Sequence, residues 1–194
     1  LDPLLEISAQ HPDSIYAWEL INEPEWVVRK FPPLPRAVEN RTVSLKEMKA
    51  FIADGTSRIN GKTLADGRRA FESSVGFAHW DTLNAWNSPE LGITLRQFHY
   101  YAQGNRDLPP HSRPEDSPCV IGEFATARGS AWPDLECARR DQTLDNRLRC
   151  VEDKGYPACF MWSAGAVDAA TRWTAESHRE VLAYLQAGRR DPMA

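Results

Sequence analysis

Glu23 and Glu123 are the residues of this 194-residue chain best placed by their neighbours to do chemistry. Each stands at the end of a short, mostly apolar run: Tyr16-Ala-Trp-Glu-Leu-Ile-Asn22 before the first, Cys119-Val-Ile-Gly122 before the second. A core would prefer leucine at such a position, and Pro24 stops the first run from continuing as an ordinary ladder partner. Two carboxyl groups carried across a cleft by different strands suit glycosidic bond cleavage. One protonates the leaving oxygen and the other attacks the anomeric carbon, roughly 5–5.5 Å apart in retaining enzymes. Asn22 is placed to hydrogen-bond a ring hydroxyl, and tryptophan offers a flat apolar face to a sugar.

The elements that must position these groups follow from hydrophobic patterning. Strand candidates are Ile15–Ile21, Ser73–Ala78, Leu95–Tyr101, Cys119–Glu123 and Ala158–Trp162. Helical patterns lie between them, the alternation expected of βαβ units and a parallel sheet. The clearest helix is Ser44–Ile59: Ser44 and Glu47 form a capping box, Val43 and Met48 occupy the staple positions, and Leu45, Met48, Ile52 and Ile59 mark one face. A second helix is expected from about Pro133 to Lys154, closed by Gly155, and a third over Ala175–Ala187. Phe31–Pro35 and Leu108–Pro118 read as surface loops. In the third strand Gln97, His99 and Tyr101 share one face, which predicts that this face lines a solvated cavity. Ligands of α/β folds bind at the carboxyl ends of the strands, so polar residues gathered there read as a site.

Composition bounds the partners. With 42% hydrophobic and 26% charged residues the chain is expected to fold as one domain over 1–194, and its net charge of -4 argues against nucleic acid or an anionic membrane. No apolar run approaches the roughly 18 residues of a membrane span. The cysteines, Cys119, Cys137, Cys150 and Cys159, lack the spacing of a zinc site, and Cys119 and Cys159 read as small buried hydrophobes rather than disulfide partners.

Four motifs in order, Ile21-Asn-Glu-Pro24, Phe98-His-Tyr-Tyr101, Ile121-Gly-Glu-Phe124 and Met161-Trp-Ser163, resemble the clan A glycoside hydrolases. Family 5, the cellulase and mannanase family, is the nearest likeness. The resemblance implies an eight-stranded (β/α) barrel of the TIM type, of which this chain holds strands four to eight with their helices. It implies a retaining β-glycoside hydrolase acting on an oligo- or polysaccharide with no metal or organic cofactor. Glu23 would be the general acid/base and Glu123 the nucleophile. Asn22 would contact the sugar 2-hydroxyl, and His99 or Tyr101 would lie close to the nucleophile. Trp162 would be the platform at the reacting subsite, and His79 and Trp80, following the second strand, could line the cleft. That division of labour requires a protonated Glu23 and an ionised Glu123. The chain opens on a helix-like segment, Asp2–Gln10, with no room for three earlier strands and no counterpart of the family's early-strand arginine and histidine. It is therefore expected to be the later part of something larger.

Simpler roles compete for several of these residues. Glu23 could be an exposed loop carboxylate, Glu123 a partner of Arg128, His99 a satisfied core histidine and Trp80 ordinary packing. Glu19, inside a strand, is expected to be buried and paired; Glu25 reads as a loop residue. Trp26, Trp132 and Trp173 are equally suited to sugar stacking and to surface cover. A different class of function also fits: a catalytically incomplete carbohydrate-binding or half-barrel assembly module, whose open sheet edges would recruit a second copy as a homodimer or a separate N-terminal half-barrel partner.

Overall fold

The structure is a computed structural model that describes residues 1–29, 43–86, 88–101, 108–111, 119–125, 143–163 and 172–188. The fold is α/β. Five strands, β1 (Ala17–Asn22), β2 (Glu72–Phe77), β3 (Leu95–Tyr100), β4 (Cys119–Ala125) and β5 (Cys159–Trp162), follow sequence order through one sheet. The registers described for β1 with β2, β2 with β3 and β4 with β5 are parallel. All five expected strands are present with ends shifted by at most two residues, as hydrophobic patterning fixes a strand better than its limits. The chain divides into two compact units, Leu1–Phe98 with Arg113–Cys119 and His99–Ser112 with Val120–Ala194.

In the first unit, α1 (Asp2–Ser8) precedes β1, α2 (Leu45–Asn60) connects β1 to β2, and the one-turn α3 (Leu83–Trp86) follows β2. The capping box forms as expected: the Ser44 backbone N–H donates to Glu47 Oε2 at 2.8 Å, and the Glu47 N–H donates to Ser44 Oγ at 3.2 Å. Helix α2 then buries Met48, Ile52 and Ile59. Gly55 sits where an added Cβ would meet the end of the Leu20 side chain of β1, so any side chain there would force Leu20 to move. Leu5, Ile59 and Phe71 form a local core with Ile15 and Trp18 against it. Strand β2 is buried from Ser73 to Phe77, and its two serines are satisfied, Ser73 Oγ by the Gly92 carbonyl at 3.0 Å and Ser74 Oγ by that of Leu95 at 2.8 Å. Replacing Ser44 by alanine removes one arm of the cap; urea unfolding should register a loss of about 1 kcal/mol.

The second unit takes the end of β3, β4 from Val120, α4 (Leu144–Asp153), β5 and α5 (Ala175–Gly188). Phe124 stacks on Tyr100 with ring centres 6.2 Å apart, and the Arg147 guanidinium lies 5.0 Å from the Phe124 centroid. Arg147 is almost wholly buried, and the cost of holding its charge away from water pushes its pKa down to about 10. Of the expected helix from Pro133 to Lys154, the described residues contain α4, Leu144–Asp153. Thr143 is extended, and its hydroxyl accepts from the Asn146 N–H at 3.2 Å, so α4 starts there; the stretch before it lies outside the described residues. The competing signal was a second N-cap inside the helical pattern. The expected stop holds: Gly155, at φ 86°, follows the C-cap residue Lys154.

Cys119 and Cys159 keep free thiols, pushed up to about 11 by burial, but Cys150 is disulfide-bonded, which no spacing in the sequence signalled. Cys137 and most of the two proline-rich loops lie outside the described residues. Among the described residues no helix is long and apolar enough to cross a membrane.

Candidate active site

Glu23 ends β1 in a conformation that a strand cannot continue. Its φ of 45° and ψ of 58° place a non-glycine residue in the left-handed region, at a cost on the order of 1 kcal/mol. Hydrogen bonds at its backbone and its side chain hold it there. Its N–H donates to the Gly76 carbonyl at 2.6 Å, and its Oε2 accepts from the Trp26 indole N–H at 2.5 Å. Pro24 then begins a 3-10 turn through Trp26, its fixed φ suited to the first position. The Trp26 ring is 39% exposed and meets His79 edge to face at 6.1 Å. His79 and Trp80 follow β2, the latter opening the 3-10 turn Trp80–Thr82, and both are half-buried. Asn22, exposed at the end of β1, is in register with Gly76. The first unit thus gathers Asn22, Glu23 and His79 at the carboxyl ends of β1 and β2, with Trp80 following directly.

Glu123, in the second unit, is 8% exposed. The Tyr101 hydroxyl donates to its Oε2 at 2.5 Å, and His99 Nδ1 lies 3.3 Å from the same oxygen. Arg128, the alternative partner, lies outside the described residues. His99 is 3% exposed, so it is a core histidine and a carboxylate partner at once. Trp162 ends β5 with 48% of its surface exposed. The second unit therefore brings together His99, Tyr101 and Glu123; Trp162 lies on the neighbouring strand, where Ala125 pairs with it.

Two expectations need correcting. The polar face of β3 is not solvated: Gln97 and His99 are both buried, their polar groups engaged by carboxylates. Glu19 is paired, accepting from Gln97 Nε2 at 2.6 Å, but it is exposed. Glu25 lies in the turn after β1, as expected of a loop residue, yet it is 0% exposed. Its Oε1 accepts from Thr82 Oγ1 at 2.7 Å and the Trp86 indole at 3.3 Å, and its Oε2 from the Ala78 N–H at 3.2 Å. Nothing in the sequence marked this carboxylate, because all three donors come from a segment more than fifty residues away.

Burial raises the pKa of Glu25 above 4.5, and its hydrogen bonds pull only partly the other way. A folded-state pKa above the unfolded one means that the group favours the fold most below about 4.5, and that this contribution is lost as pH rises through the folded value. Relative to Glu25→Gln, which does not titrate, the wild-type chain should therefore gain stability as pH falls from neutral toward 4.5. Paired urea unfolding across that window reads the slope, and a difference that shrinks on acidification would reverse the sign.

No protein-family model matches the chain, and no solved structure does.

Proposed function

We propose that the chain is a retaining β-glycoside hydrolase on a (β/α)-barrel type scaffold, with Glu23 as general acid/base and Glu123 as nucleophile. The observation that carries this reading is the setting of Glu123. A carboxylate near the carboxyl end of a parallel strand, buried and gripped on one oxygen by a tyrosine hydroxyl and a histidine, is held for use rather than for packing. Glu23 supports it, since a strained backbone held by named bonds is commonest where geometry serves function.

In the first step an oxygen of Glu123 forms a bond to the anomeric carbon as the glycosidic C–O bond breaks, and Glu23 delivers its proton to the departing oxygen. In the second, Glu23 takes a proton from water, whose oxygen displaces Glu123 from the same carbon. The Tyr101 hydroxyl steadies the ionised nucleophile, and Trp162 offers its exposed face to the reacting sugar. Asn22, His79 and Trp80 form the rim around the acid/base. The substrate is a β-linked oligo- or polysaccharide.

Incubating the full chain with aryl β-glucosides and β-mannosides, and following the anomeric proton by NMR, tests the reading. Release of the β-anomer first is expected; no turnover, or an α-anomer first, would overturn it. Tyr101→Phe should lower kcat about ten- to a hundredfold, the worth of a hydrogen bond to a charged group, without loss of fold.

One observation favours the second reading, an assembly module. Leu4 and Ile7 leave more than half their surface exposed on α1, and Leu1, just before it, is exposed as well. A sedimentation value of a monomer at all concentrations would count against it.

A further inference from the structure

Glu25 has no part in the mechanism above, yet among the described residues it is the most deeply buried carboxylate and has no cation bonded to it. A lone buried carboxylate is costly, and it persists where fixed donors replace its lost water. Here the donors have a common location. Ala78, Thr82 and Trp86 span the segment that leaves β2 and carries His79 and Trp80. Glu25 itself lies in the turn that leaves β1, two residues from Glu23 and next to Trp26. Thr82 Oγ1 also lies 2.7 Å from the His79 carbonyl oxygen, which shares its one hydroxyl proton with Glu25, so one hydroxyl touches both sides.

We infer that Glu25 is a positioning residue for Glu23: its carboxylate bolts the turn after β1 to the segment after β2, fixing the left-handed backbone of Glu23 and the indole that grips its side chain. This rests on the reading of Glu23 as the acid/base. The Gly76 bond to the Glu23 N–H anchors the start of the turn and the Glu25 bonds anchor its middle, so the backbone between them, at Pro24, has little freedom. An amide cannot replace the carboxylate. Glutamine presents one acceptor atom, so either the Ala78 N–H or the Thr82 and Trp86 pair would face an NH2 group.

The test uses the full chain as Glu25→Gln and Thr82→Val. The second variant leaves residues 23–26 untouched and keeps the carboxylate, which guards against a Glu25 variant that does not fold. Two readouts are taken. One is the Trp26 indole N–H resonance, identified by its absence in Trp26→Phe. The other is kcat/KM on an aryl β-glycoside with a poor, phenol-like leaving group and on a 2,4-dinitrophenyl glycoside whose departure needs no proton. In folded variants the indole resonance should move, and the poor leaving group should lose about tenfold or more while the activated one loses less than about twofold. A folded Thr82→Val with an unmoved indole resonance, or equal losses on both substrates, would overturn the inference. Should the wild-type chain cleave neither glycoside, the acid/base reading fails by itself, and the resonance still decides whether Glu25 fixes the pair of Glu23 and Trp26.

Discussion

Glu123→Gln is expected to abolish hydrolysis, with kcat on aryl β-glycosides falling by about four orders of magnitude or more. An amide oxygen does not form the glycosyl ester, and removing a nucleophile typically leaves only the modest catalysis of binding and polarisation. The fold should survive. The amide oxygen still accepts from Tyr101, and glutamine fills the same volume beside His99, so thermal unfolding should shift by only a few degrees. That contrast separates a catalytic group from a structural one. A carboxylate serving only to satisfy His99 and Tyr101 would show the reverse, with stability reduced and any activity scaled down by the unfolded fraction.

The second large effect concerns Glu23→Gln and depends on the substrate. Without a proton donor, cleavage of a poor leaving group should slow by about 10²- to 10⁴-fold. A dinitrophenolate departs unaided, so its first step should be nearly unchanged. Its second step still lacks a base to activate water, and the glycosyl-enzyme should accumulate. The kinetic signature is a burst of dinitrophenol followed by slow turnover, with kcat and KM falling together. Equal rate losses on both substrates, without a burst, would remove Glu23 from the acid/base role.

Much of the scaffold was legible because it follows local rules. The capping box at Ser44 and Glu47, the apolar stripe of α2 and the glycine after α4 are each set by neighbours within a few residues, and each forms as the pattern predicts. The five strands announced themselves as apolar runs. The polar groups at their ends were legible as candidates, and the structure adds what they touch: Tyr101 and His99 on Glu123, Trp26 on Glu23. What was not legible depends on distant partners. Glu25 resembles any turn carboxylate until Ala78, Thr82 and Trp86 close around it, and Glu19 reads as buried until its surroundings are known. The polar face of β3 misled for the same reason, since alternation shows which residues share a face and not whether water or a carboxylate meets them.

The account stands on Glu23 and Glu123 serving one sugar between them, and covalent trapping tests this most directly. The chain is incubated with 2-deoxy-2-fluoro-β-glucosyl and β-mannosyl fluorides, in which the carboxylate oxygen bonds the anomeric carbon as fluoride leaves and the product hydrolyses slowly. Peptide mapping by mass spectrometry then locates the sugar. The expected result is one sugar per chain, on Glu123, lost with time in the wild type and retained far longer in Glu23→Gln. A sugar on any other residue, no sugar at all, or a label whose lifetime ignores the Glu23 substitution would contradict the account.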